Sequence, residues 1–107
     1  MGDFQYGIVF VNVGSRCEGI TIASSLMENH LAAGINITPI DSIYRWQGEI
    51  HHHEEWQLVI KTDLSLFQLL EAKVRELHSY QVPEIIAIPV VQGHQPYLQW
   101  ISAQVGS

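Results

Sequence analysis

Three consecutive histidines, His51, His52 and His53, are the residues of this chain best suited to chemistry. On a strand alternate side chains share a face, so His51 and His53 point together and His52 points away. Two imidazoles spaced this way can chelate Cu(II), Ni(II) or Zn(II), with Glu49 or Glu55 on the same parity as a further ligand. A metal site needs about three or four convergent ligands, so the missing ones would come from symmetry-related copies. The alternative is a solvated strand start that binds nothing specific. A real site would weaken as pH falls through the imidazole range near ~6.5, since only neutral histidine coordinates.

Lys61 follows Leu58-Val59-Ile60 in a strand that reads as well buried, and a buried ammonium must be paired. Glu84, just after Pro83, is the expected partner. With Tyr44, Trp46, Tyr80 and Trp100 the pair would line a cleft between subunits, suited to a small polar ligand. The alternative is a structural ion pair among interface aromatics. His78 falls at the end of a predicted helix, where a partly protonated ring complements the helix dipole and can meet the last carbonyls. Cys17 follows Arg16 near a helix start, which favours the thiolate, yet no histidine or acid is spaced to pair with it. Glu54 and Glu55 face opposite ways on a strand and cannot work together as acid and base. No glycine-rich phosphate loop, Gly-x-Ser-x-Gly or His-Glu-x-x-His occurs, so no catalytic activity and no required cofactor are expected.

The elements that position these residues must fit into 107 residues, enough for a single domain over 1–107. Five Lys+Arg against 11 Asp+Glu give a net charge of −6. The scattered cations Arg16, Arg45, Lys61, Lys73 and Arg75 offer no basic stripe, which excludes nucleic acid and an anionic membrane as partners. Cys17 is the only cysteine. That lone thiol, the absence of a cationic signal segment and an apolar run Ile8–Val11 too short to span a bilayer lead to the expectation of a cytoplasmic protein.

Tyr6–Val13 reads as a central strand, apolar on both parities. Ser15 and Glu18 match a capping box for a helix whose apolar stripe is Ile20, Ala23, Met27 and Leu31, with Gly34 just past its end. Ile35–Trp46 is a long strand that Pro39 confines to an edge or a bulge. A turn at Gln47-Gly48-Glu49 leads into a strand running to Thr62, with Trp56, Leu58 and Ile60 on one face. Asp63 or Ser65 caps a helix with the stripe Phe67, Leu70, Val74 and Leu77. Glu84–Val91 is a fourth strand, and Pro96 opens a last helix with Tyr97 and Ile101 inward and Trp100 on a neighbouring face. The order β-α-β-β-α-β plus a C-terminal helix is the α+β, ferredoxin-like plan, with both long helices on one face of a four-stranded antiparallel sheet. The other face carries apolar residues that 107 residues can barely cover, so a homo-oligomer is expected to bury it.

Five segments in register carry a resemblance: Leu31–Ile37, Ser42–Gly48, Leu58–Thr62, His78–Glu84 and Tyr97–Trp100. In this order and spacing the chain resembles the CutA divalent-cation tolerance protein family from about Tyr6 to Ile101. The resemblance implies a very stable homotrimer, similar in architecture to the PII signalling proteins. It also implies association with copper and other divalent-metal tolerance, and no accepted catalytic activity. The function expected from it is a trimeric, non-enzymatic metal-response protein with weak metal binding. The alternative is a PII-like signalling module that holds a small metabolite in the inter-subunit cleft. His78 enters as a metal ligand through this resemblance alone, beside His51 and His53. The chain departs from the family pattern in having Gly34 where a cysteine is usual, Ser79 in place of the proline of His-Pro-Tyr, and His51-His52-His53 in place of an acidic stretch.

Overall fold

A computed structural model describes residues 4–106. The chain runs β1 (Tyr6–Val13), α1 (Arg16–Glu28), β2 (Gly34–Trp46), β3 (Glu49–Asp63), α2 (Phe67–Leu77), β4 (Ile85–Pro89) and α3 (Gln95–Gln104). The four strands form one sheet in the order β2-β3-β1-β4, and each neighbouring pair is antiparallel. The expected order of elements is the observed one. Pro39 lies in the edge strand β2, facing Trp56 without a break in register. An edge position tolerates its missing amide.

The even residues of β3 and the odd residues of β1 point to the face that α1 and α2 cover. Val9, Val11, Val13, Leu58 and Ile60 are sealed there against Ile22, Leu26, Leu70 and Val74. The stripe expected on α1 is one residue out of phase. Gly19, Ile22 and Leu26 are buried, while Ile20 and Met27 are 39% and 41% exposed. Apolar residues occupy both stripes of this helix, so periodicity alone left two phases open. Close approach at Gly19 selects one: a Cβ there would stand 3.3 Å from Leu58 Cδ1 and from Val13 Cγ2. The capping box is half formed. Ser15 Oγ accepts from the Glu18 amide at 3.1 Å, but the Glu18 carboxylate turns away to Ser79. The helix ends before Gly34: His30 takes the left-handed φ of 57°, and Gly34 opens β2.

Asp63 starts the second helical segment. Its Oδ1 accepts from the Ser65 amide at 2.9 Å and from Ser65 Oγ at 2.7 Å, opening a 3-10 turn at Leu64–Leu66 that runs into α2. Leu70 and Val74 are buried, with Phe67 and Leu77 packed beside them. β4 is shorter than expected, five residues long. In α3 the inward residues are Leu98 and Ile101, and Tyr97, expected inward, is 44% exposed.

α3 covers one end of the second sheet face, packing Leu98 and Ile101 with Ala33, Tyr6 and Val90. The rest of that face stays open. Ile86 and Ile88 of β4 are 53% and 44% exposed on it. β2 and β3 continue past the end of β1 at Val13↔Trp56 as a two-stranded arm, from Ile40↔Glu55 to Trp46↔Glu49. Positive φ at Gln47 (53°) and Gly48 (81°) closes it, the twist a tight hairpin requires.

Candidate functional site

The odd residues of β3 and the even residues of β2 share the open face. Register therefore sets Ile40 opposite Glu55, Ser42 opposite His53, and Tyr44 opposite His51. The Tyr44 ring sits between the two histidines, stacked on His51 (centroids 5.6 Å apart, 17°) and edge-on to His53 (5.3 Å, 80°). Its hydroxyl meets His53 Nε2 at 3.2 Å. His53 Nε2 also lies 3.7 Å from Glu55 Oε2. His52 is on the other face, 3.8 Å from Asp41. His51 and His53 thus point to one face, but Tyr44 separates them. Among the described residues no three side chains of the histidine, cysteine and carboxylate kinds gather to hold a metal ion.

Glu55 is the residue that sequence reasoning undervalued. Only 4% exposed, it accepts a hydrogen bond from Tyr80 Oη at 2.8 Å. Burial, followed by that hydrogen bond and the Glu55 charge, pushes the Tyr80 phenol well above its ordinary pKa of 10.0. Its parity with His53 was readable in the sequence. Its burial was not, because Tyr80 reaches it from a loop 25 residues away.

His78, expected as a metal ligand, is fully engaged by protein. Its side chain is sealed from solvent, with Nε2 2.7 Å from the Asn12 carbonyl and Nδ1 3.0 Å from the Tyr80 amide. The carbonyl can only accept and the amide can only donate. Nε2 therefore carries the proton, and the Nδ1 lone pair is taken. A metal would have to displace one of these bonds. The ring does not meet the last helix carbonyls either. The backbone amide of His78 caps Val74 at 2.8 Å, and the ring ties the end of α2 to β1.

Within one chain Lys61 and Glu84 do not pair. Lys61 faces Ile8 and Gly34 across the strands, while Glu84 holds Asn12 Nδ2 at 3.2 Å. Asn12 faces Gln57, four residues from Lys61, or about 13 Å along the strand. Lys61 is half-buried and needs no carboxylate: Nζ donates to Asn36 Oδ1 and reaches the Val59 carbonyl at 3.5 Å. Burial lowers its pKa. Trp100 belongs to the Lys61 end, its ring 3.5 Å from where a Gly34 Cβ would stand. Within one chain the six residues expected at the inter-subunit cleft fall into two groups. Tyr44, Trp46, Tyr80 and Glu84 line one groove of about 850 Å³, together with Asn12, Glu55 and Gln57. Lys61 and Trp100 lie outside it, by α3.

This chain, read against known proteins, matches the family model described as CutA1 divalent ion tolerance protein over residues 7–104. The chain belongs to the CutA1 divalent ion tolerance family. It is 43% identical over 100 residues to the divalent-cation tolerance protein CutA of Thermus thermophilus, covering 92% of this chain and 97% of that one. It is 41% identical over 95 residues to the chloroplastic CutA of Arabidopsis thaliana, covering 88% of this chain and 52% of the relative. The solved structure of the periplasmic divalent cation tolerance protein CutA from Archaeoglobus fulgidus superposes with a TM-score of 0.92 at 35% identity. That match covers 94% of this chain and 99% of the other.

These CutA relatives correct the expectation of a cytoplasmic location, since one is described as periplasmic and another as chloroplastic. The physical reason is that a single thiol can form no intrachain disulfide in any compartment, so Cys17 does not report on redox environment. Among the described residues no helix is long and apolar enough to cross a membrane.

Proposed function

We propose that this CutA protein serves divalent-cation tolerance as a non-catalytic homotrimer that binds transition-metal ions weakly, Cu(II) among them, on the open face of its sheet. The observation that carries this reading is His53 Nε2, 3.7 Å from the buried Glu55 carboxylate and on the face shared with His51. Imidazole nitrogen with carboxylate oxygen suits a borderline divalent metal. Tyr44 Oη, 3.2 Å from that nitrogen, would have to give way to a metal. Neighbouring copies would supply the remaining donors, and exposed Ile86 and Ile88 support assembly, because apolar patches of this kind are normally covered.

Titration calorimetry with Cu(II), Ni(II) and Zn(II) tests the site. His51→Ala/His53→Ala should lose at least tenfold in affinity, and His78→Ala should retain it. Unchanged affinity in the double variant refutes the ligand set. Light scattering should report three times 12.1 kDa, and a folded particle of 12.1 kDa at micromolar concentration would refute the trimer.

One observation favours a second reading, a PII-like signalling module holding a small metabolite. The groove of about 850 Å³ is walled by Tyr44, Trp46 and Tyr80, within the size range of about 300–1,000 Å³ typical of small-molecule sites. Saturable metabolite binding that ignores metal would select it.

A further inference from the structure

We infer a second divalent-metal site, on the face of the β2–β3 arm opposite His51 and His53, where His52, Asp41 and Glu54 form a set of one imidazole and two carboxylates for an ion such as Zn(II). It goes beyond the reading above: its donors share neither a residue nor a face with the open-face site, and each site can fail alone.

Strand register builds the site. Asp41 pairs with Glu54 and Ile43 with His52, so the odd residues of β2 and the even residues of β3 share this face. Directly opposed side chains start about 5 Å apart and diagonal ones about 7–8 Å. Along β3, His52 lies about 7 Å from Glu54. All three donors come from two successive rungs of one hairpin, on the side turned away from the open sheet face. No neighbouring copy has to supply a ligand.

Two observations point to a cation. Asp41 and Glu54 sit directly opposite each other, and like charges so placed on a strand pair repel. Among the described residues no lysine or arginine pairs with either carboxylate; the ionic neighbour of Asp41 is His52, which is charged only when protonated. Arg45, on the same face, lies opposite Ile50, one rung past His52. The second observation is the gap between His52 Nε2 and Asp41 Oδ1, 3.8 Å, too long for a hydrogen bond. Two donors on one tetrahedral zinc ion stand roughly 3.3 Å apart, so a shift of about half an ångström admits the metal between them.

The third donor has to move. No cluster of three ligands stands preformed among the described residues. Glu54 is exposed, as are Asp41 and His52, so side-chain rotation brings its carboxylate across the rung without disturbing the core. One imidazole nitrogen with two carboxylate oxygens suits a borderline divalent metal, and three protein ligands leave a fourth position to water. The charge of the ion cancels that of the two carboxylates. Ordering three exposed side chains costs conformational entropy, which keeps the affinity modest.

Zn(II) calorimetry on the intact protein carrying His51→Ala/His53→Ala isolates the site, because the open-face imidazoles are gone. One Zn(II) per chain should still bind saturably. Adding His52→Ala or Asp41→Asn should weaken it at least tenfold and Glu54→Gln severalfold, while Arg45→Gln should tighten it. These four positions are exposed, so the variants should fold. With a chelator present, Glu54→Gln should not lower the denaturant midpoint, since it removes a like-charge contact; a lower midpoint would make Glu54 structural and overturn the ligand set. A His51→Ala/His53→Ala protein that binds no Zn(II), or binding there that ignores both His52→Ala and Asp41→Asn, overturns the proposal. Zn(II) binding that His51→Ala/His53→Ala leaves unchanged and His52→Ala abolishes keeps this site and refutes the open-face one.

Discussion

His78 offers the sharpest test of the structural reasoning. The ring is sealed from solvent and makes two hydrogen bonds, to the Asn12 carbonyl at 2.7 Å and from the Tyr80 amide at 3.0 Å. His78→Ala removes both and leaves two polar backbone groups without partners. Each such loss is worth about 1–3 kcal/mol, and the vacated ring volume adds roughly 1 kcal/mol. The expected destabilisation is about 3–7 kcal/mol, from midpoint and slope in urea at one protein concentration, with a chelator present. His78→Gln should recover part of it, because an amide N–H can still donate to Asn12. A residue kept only to bind metal would behave in the opposite way, with chelated stability unchanged and Cu(II) affinity lost. A loss below about 1 kcal/mol together with weakened Cu(II) binding would refute the argument.

The raised Tyr80 phenol contributes stability that is fully present below pH 10.0 and lost as pH rises above it through the folded-state value. Tyr80→Phe should flatten this alkaline limb, and Glu55→Gln should bring the phenol back toward 10.0 in an ultraviolet titration. Burial alone would raise the Asp63 pKa, but hydrogen bonds from Ser65 and Gln5 outweigh it and hold the carboxyl below 3.8. Its contribution is therefore present above that value and lost as pH falls through the folded-state pKa. Asp63→Ala should cost about 1 kcal/mol at neutral pH through loss of the cap, and Asp63→Asn should blunt the acid dependence. Denaturant midpoints measured across the pH range check both residues.

The order of elements, the edge placement of Pro39 and the buried stripe of the second long helix were legible in the chain, because they depend on periodicity, on proline's missing amide and on capping residues a few positions apart. So were the family, from five short segments in register, and the shared face of His51 and His53, since strand parity is a local property. Where two stripes were equally apolar, as on α1, only contact at Gly19 could choose between them. The candidate site lay mostly beyond reach of the sequence. Which side chains meet depends on register between strands far apart in the chain, and a shift of four residues separates Lys61 from Glu84. Tertiary structure alone closed the ring of His78 between β1 and the Tyr80 loop and buried Glu55 beneath the Tyr80 hydroxyl. It also collected Glu55 and Glu84 in one groove with Tyr44, Trp46 and Tyr80. The contacts of Tyr80 with Glu55, of His78 with Asn12 and of Glu84 with Asn12 span 25, 66 and 72 residues of chain, and long-range convergence is set by how the elements pack, which no local pattern encodes.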